Sequence, residues 1–131
     1  KEGGLPVRDE WVMRGGSDIA AGKRAADQIL ACEERPEAVL CFNDSLSIGV
    51  EMGLLGHGIE IPGQIALAGF SGTLEMEIAR VPITGVFQDA VALGKTAAEF
   101  LLKRMINPKV QFVPEERVLT TRLISRESSQ C

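Results

Sequence analysis

The chain has no tyrosine, one tryptophan and one histidine in 131 residues, and aromatics make up only 5%. A single His leaves no Cys/His pair at metal-ligand spacing, and no phosphate-binding loop or Gly-x-Ser-x-Gly motif occurs. Positive charge is also short. Lys and Arg number 14 against 18 Asp and Glu, giving a net charge of −4. Without a Lys/Arg cluster this stretch is a poor nucleic-acid binder by itself, because phosphate contacts need concentrated positive charge. No apolar run is long enough to span a bilayer, and Lys1–Pro6 has no signal-peptide core. Cys32, Cys41 and Cys131 are an odd set at unrelated spacings; Cys32 and Cys41 sit in apolar surroundings, so buried reduced thiols are expected there rather than disulfides or metal ligands, in keeping with a cytoplasmic protein. Glu33-Glu34 and Glu115-Glu116 read as solvated turns. Nothing supplies a nucleophile with its base, so no catalytic residue, enzyme activity, metal or cofactor is expected.

What is present is a one-domain length of ordinary globular composition, 45% hydrophobic and 24% charged. The most telling stretch is Ala38 to Phe42, an apolar run that stops at Asn43-Asp44-Ser45 and leads into an apolar helix. Asn, Asp and Ser are helix N-caps, so this is a strand-to-helix switch with polar groups at the carboxyl end of a strand. Small polar ligands bind at that edge in open α/β sheets. Around it the pattern predicts a short strand at Glu10–Met13 and a helix capped by Ser17-Asp18 and running to about Cys32. A helix from Ser45 to about Leu55 follows, then a strand Ile65–Phe70 and a short helical piece over Leu74–Ala79. Beyond these come a strand Thr84–Phe87, a helix from Gln88-Asp89 to about Met105 stopped by Asn107-Pro108, and a strand Arg117–Ser125. Gly94 is read as a point of close helix approach, and His57 as a dipole partner at the end of its helix. Strands alternating with helices imply an α/β fold with a parallel sheet covered on both faces. Three strand ends then bring Asn43-Asp44, Ser71-Gly72-Thr73 and Gln88-Asp89 to one edge.

Further residues carry a family resemblance. Arg35-Pro36-x-Ala38 runs through Phe42 to Asn43-Asp44, with Gly49 in the next helix; then come Gly58-Ile59-x-Ile61-Pro62, Ile65-Ala66-x-Ala68-Gly69-Phe70, Val81-Pro82-x-Thr84, Val86–Gln88 and Gly94-Lys95-x-Ala97-Ala98. In this order and spacing they resemble the lactose/galactose repressor family of bacterial transcription regulators. The resemblance implies a parallel-sheet sandwich of the periplasmic-binding-protein kind, here incomplete: the C-terminal lobe plus elements of a missing N-terminal lobe. By it, residues 1–88 are the C-terminal lobe without its first strand and most of its first helix, Lys1–Pro6 being the tail of that helix. Residues 89–114 are a helix and connection belonging to the other lobe, and residues 115–131 are a return strand and tail.

The resemblance makes Asn43 a ligand-contacting amide and Gln88 a second ligand-facing residue, with Asp44 and Ser17 as further candidates; capping or solvated loop positions are the alternative reading for each. Ser71 departs from the family, which commonly has Gly-Phe-Asp-Asp or Gly-Tyr-Asp-Asp here. A carboxylate that grips paired sugar hydroxyls is replaced by a small hydroxyl, which looks like gluconate-type regulators and favours a sugar acid; plain turn chemistry is the alternative. The helix Ser45–Leu55 is apolar nearly all round, so one face covers the sheet and another needs a partner. Ser47, Ile48, Glu51, Met52 and Leu55 are the expected homodimer contacts. The reading is thus the carbohydrate- or sugar-acid-sensing, dimerising part of a regulator that meets operator DNA only through an absent headpiece. The alternative is a periplasmic sugar-binding protein of a transport system.

Overall fold

Asp18 and Asn43 show why the two long helices begin where they do. Each side-chain oxygen accepts a first-turn N–H that has no intrahelical partner: Asp18 Oδ1 from Ala21 N at 2.7 Å, Asn43 Oδ1 from Leu46 N at 2.8 Å. The computed structural model describes residue 4 and residues 7–106 and 114–130. In it these caps open α1 (Ile19–Ala31) and α2 (Asp44–Gly56). The strands are β1 (Ala38–Leu40), β2 (Ala66–Ser71), β3 (Thr84–Phe87) and β4 (Arg122–Ile124), with α3 (Leu74–Glu77) between β2 and β3 and α4 (Ala90–Ile106) after β3. They form one sheet in the order β1-β2-β3-β4. β1 runs parallel to β2 with Leu40 opposite Ala68, and β2 runs parallel to β3 with Ser71 opposite Phe87. Two compact units result, one of Lys1–Phe87 with Leu123–Cys131 and one of Gln88–Arg122.

In the first unit α2 lies on β2, and α1 lies on α2. Leu54, Leu67, Met76 and Ile83 are fully buried at the centre. Two glycines let the helices approach closely. A Cβ at Gly22 would stand 2.5 Å from Leu46 O, and one at Gly49 would stand 2.3 Å from Ile19 O, so no side chain fits at either point. The returning tail ties the strand starts together: Ser128 Oγ donates to Leu67 O and accepts from Thr84 N, while Thr84 Oγ1 donates to Arg126 O and accepts from Arg126 N.

Several expectations are corrected. The sheet is covered well on only one face, because α1 stacks on α2 instead of crossing to the other side. Leu67 and Gly69 of β2 are buried, but Leu40 on β1 is 78% exposed and Phe70 is also exposed. Residues 10–13 are not a strand. Asp9–Trp11 form a 3-10 turn anchored by its side chains, with Trp11 Nε1 donating to Glu34 O and Arg8 resting over the indole. The strand at Arg117–Ser125 shrinks to Arg122–Ile124, and that at Ala38–Phe42 to Ala38–Leu40. Alternation makes an extended segment into a strand only where a ladder partner meets it.

The second unit is α4 and the chain that folds back on it. Asp89 Oδ1 accepts from Ala92 N at 2.8 Å, and Arg117 pairs with Glu99 and stacks on Phe100. None of the residues of α4 is buried; Val91, Leu101, Leu102 and Met105 are exposed. Among the described residues, nothing lies within 4 Å of a Cβ built at Gly94. Asn107-Pro108, Cys131 and the Lys1–Pro6 tail (Gly4 apart), for which the sequence carried expectations, lie outside the described residues.

Candidate functional site

Because β1, β2 and β3 are parallel, their carboxyl ends share an edge, and the first unit's polar candidates gather there. Asn43 follows β1. Its Oδ1 caps α2 and its Nδ2 donates to Ser17 O at 3.0 Å, which brings the entry to α1 beside the entry to α2. An amide has two N–H donors and two lone pairs, so one of each remains for a ligand. Capping and ligand contact are therefore compatible at Asn43. Ser17 is exposed and takes part through its backbone; the α1 cap is Asp18. Asp44 opens α2, where its Oδ1 accepts from Ser45 N at 2.9 Å and its negative charge suits the helix N-terminus.

Ser71 ends β2 with φ +111°, a conformation that residues with a side chain rarely adopt. Gly72 follows at φ +64°, where a Cβ would stand 2.9 Å from Phe87 Cα. The Ser71-Gly72 turn is thus pressed against the end of β3. Such strain is found where surrounding structure holds a functional loop in place. Among the described residues the buried Thr73 hydroxyl meets no partner in hydrogen-bond geometry, though it lies near enough to draw the exposed Glu75 carboxyl below its ordinary range. Thr73 was not singled out as a site residue by the sequence; its orphan hydroxyl is a tertiary property. Gln88 is exposed and is the first residue of the second unit.

Cys41, also at this edge, is no nucleophile. Burial pushes its thiol up to about 11, despite a lowering hydrogen bond with Ser47. Among the described residues no group of three His, Cys, Asp or Glu could hold a metal ion. His57 does more than end its helix: Nε2 lies 2.8 Å from Asp27 Oδ1 and links α2 to α1.

The expected partner face of α2 also changes. The second apolar face is taken by α1, so it does not by itself demand another molecule. Ser47 is fully buried and donates to Asn43 O, and Glu51 is 3% exposed with Oε1 accepting from Val81 N at 2.6 Å. Neither side chain can meet a second copy from there. Ile48 and Leu55 are half-buried against the core, and Met52, 46% exposed, is the apolar side chain that stands clear.

A family model described as the periplasmic binding protein-like domain matches residues 1–129. The HTH-type transcriptional repressor PurR of Vibrio parahaemolyticus is 34% identical over 104 residues, covering 79% of this chain and 31% of the relative. The repressor of the same name from Actinobacillus pleuropneumoniae is 28% identical over 127 residues, covering 97% of this chain and 38% of the relative. Among solved structures, a LacI family transcriptional regulator from Enterococcus faecalis with bound ribose has a TM-score of 0.77 at 29% identity, over 86% of this chain and 40% of that one. The chain therefore spans well under half the length of these relatives. Fold, strand order and family match agree, and the chain belongs to the periplasmic binding protein-like domain family.

Proposed function

We propose that this chain is the effector-sensing part of a cytoplasmic bacterial repressor whose DNA-binding headpiece lies outside the sequence. The observation that carries the reading is the sequence likeness to HTH-type transcriptional repressors, which also supports a regulator over a transport protein. The effector is a carbohydrate or sugar acid, bound at the carboxyl edge by Asn43 and Ser71 with Asp44, Ser17 and Gln88 as further contacts. The ribose held by the Enterococcus relative supports a carbohydrate-sized ligand. Ser71 in place of a carboxylate favours a sugar acid of the gluconate type, because an aspartate there would repel an anion.

By this reading residues 1–88 and 115–131 belong to the C-terminal lobe and residues 89–114 to the other lobe. The apolar stripe of α4, of which no residue is buried, supports that division. Two copies pair through Met52 with Ile48 and Leu55. Effector would bias a two-state equilibrium of the lobes that the headpieces read. A thermal-shift panel of neutral sugars and sugar acids on the intact protein tests the effector class. A concentration-dependent rise in Tm with gluconate or another sugar acid is expected, and no shift with any carbohydrate would refute it.

A further inference from the structure

Beside the apolar stripe of α2 the surface is concave. Leu55 lines an open hollow of about 550 Å3, with Ile59, Ile61 and Val81 as apolar lining and Glu60 and Arg80 as its charged groups. The hollow lies at the carboxyl end of α2, about 18 Å along the helix from Asn43, so it is separate from the effector edge. Its walls are fixed by the fold. Glu51 Oε1 accepts the Val81 N–H at 2.6 Å and ties the Arg80-Val81 segment to α2. Ile59 N donates to Leu54 O at 3.0 Å and folds the chain back over the end of the helix.

Two features say what fits there. The first is shape. A small ligand needs a cleft that buries most of its surface, whereas an open hollow with apolar lining suits another protein surface. The second is charge. Glu60 and Arg80 are both exposed, and among the described residues neither forms a salt bridge. The Glu60 carboxyl lies over Gly63, where an added Cβ would stand 3.2 Å from Oε2. Arg80 stands near enough to Glu51 to favour its ionised form. A surface that carries one charge of each sign around an apolar centre is complementary to itself. In a two-fold contact each Arg80 meets the Glu60 of the other copy.

We propose that this hollow is a second part of the contact between two copies of the chain, filled by the other copy's apolar side chains and framed by reciprocal Arg80–Glu60 pairs across the two-fold axis. The inference rests on the partner face proposed at Met52, Ile48 and Leu55. Leu55 belongs to both surfaces, and Met52, 46% exposed, stands about one turn before it on α2. Ile78, 71% exposed on the segment that leads to Arg80, extends the apolar area. The charge pairs supply what an apolar stripe lacks. Apolar contact is non-directional, and a pair of opposite charges on each side fixes how the copies are oriented.

Sedimentation equilibrium of the intact protein at low salt reads the contact as a dimer Kd. Arg80→Glu and Glu60→Arg each set like charges against one another in both pairs, so each should raise Kd by about tenfold. Combining the two reversals restores opposite charges and should bring Kd back to within about threefold of wild type. Added salt should narrow the gap between the single variants and wild type. Arg80→Glu also brings a second carboxylate toward Glu51. If that variant does not fold, Arg80→Gln and Glu60→Gln replace the reversals, and their combined effect should be less than the sum of the two. Single reversals that dimerise like wild type, a combined variant no tighter than the singles, or additive Gln variants would overturn the proposal and leave the hollow to another occupant. If Met52→Glu gives monomers while the reversals leave Kd unchanged, the partner face on α2 stands and the hollow's part in it falls. A wild type that stays monomeric overturns both.

Discussion

At the scale of single residues, Asn43 and Ser71 hold the most information. Asn43 spends half of its amide on structure, capping α2 and tying Ser17. Asn43→Ala should lower stability by about 1–2 kcal/mol from the lost cap, read by denaturant titration. It should also weaken effector binding in the intact protein. Ser71 sits at φ +111°, a region open to glycine at little cost. Ser71→Gly should raise stability by about 1 kcal/mol, seen as a higher Tm; a fall would show that the hydroxyl matters more than the strain. Ser71→Asp separates two readings of the same residue. Calorimetric titration should show wild type preferring gluconate to glucose and the variant losing or reversing that preference. Repulsion between unit charges at ~4 Å is about 4 kcal/mol at an effective dielectric near ~20, more than one hydroxyl contributes. Equal affinity of wild type for both ligands would leave Ser71 as turn chemistry. Asn43 was legible in sequence because it ends a strand-like apolar run and precedes a helix. The Ser71 strain was not, because φ depends on how the turn is pressed against Phe87.

At the scale of elements, α2 decides most of the packing. Its apolar circumference was plain in the sequence, but that α1 takes up its second apolar face was not. Gly22 and Gly49 let α1 come close enough to cover it. Gly49→Ala should push the helices apart and destabilise by about 1–3 kcal/mol, the range for overpacking, measurable as a lower Cm in urea. Self-association is best probed at Met52, 46% exposed, where a new charge does not disturb the core. Met52→Glu should leave folding intact and convert a dimer of the intact protein to monomer by sedimentation, because the charge would be buried at the contact. Unchanged sedimentation would refute that face. Leu55→Glu is a poorer test, since Leu55 packs on the core and the fold itself would suffer.

At the scale of the whole molecule, pH dependence has a source at Cys41. Its thiol is raised from 9.0 to about 11 by burial, so the folded chain holds a proton that the unfolded chain releases earlier. Stability should be insensitive to Cys41 below pH 9 and fall as pH rises from 9 toward 11; Cys41→Ser or Cys41→Ala should remove that part of the fall. A thiol reagent at neutral pH should modify Cys41 only on unfolding, because it is both buried and un-ionised.

The order of strands and helices from α1 onward, the caps that start α1 and α2, the polar strand ends and the acidic charge balance were all determined by the sequence itself. Each is local or additive: a cap needs only its own first turn, a net charge only a count. The tertiary structure alone decided which face of the sheet is covered, which residues of α2 point inward, and that Glu51 closes on Val81. Those outcomes depend on elements far apart in sequence arriving at one place. Glu51 was read as a dimer contact because helical spacing can put a residue on a face but cannot say what lies opposite. The backbone N–H of Val81, 30 residues away, is what made that position tolerable for a carboxylate.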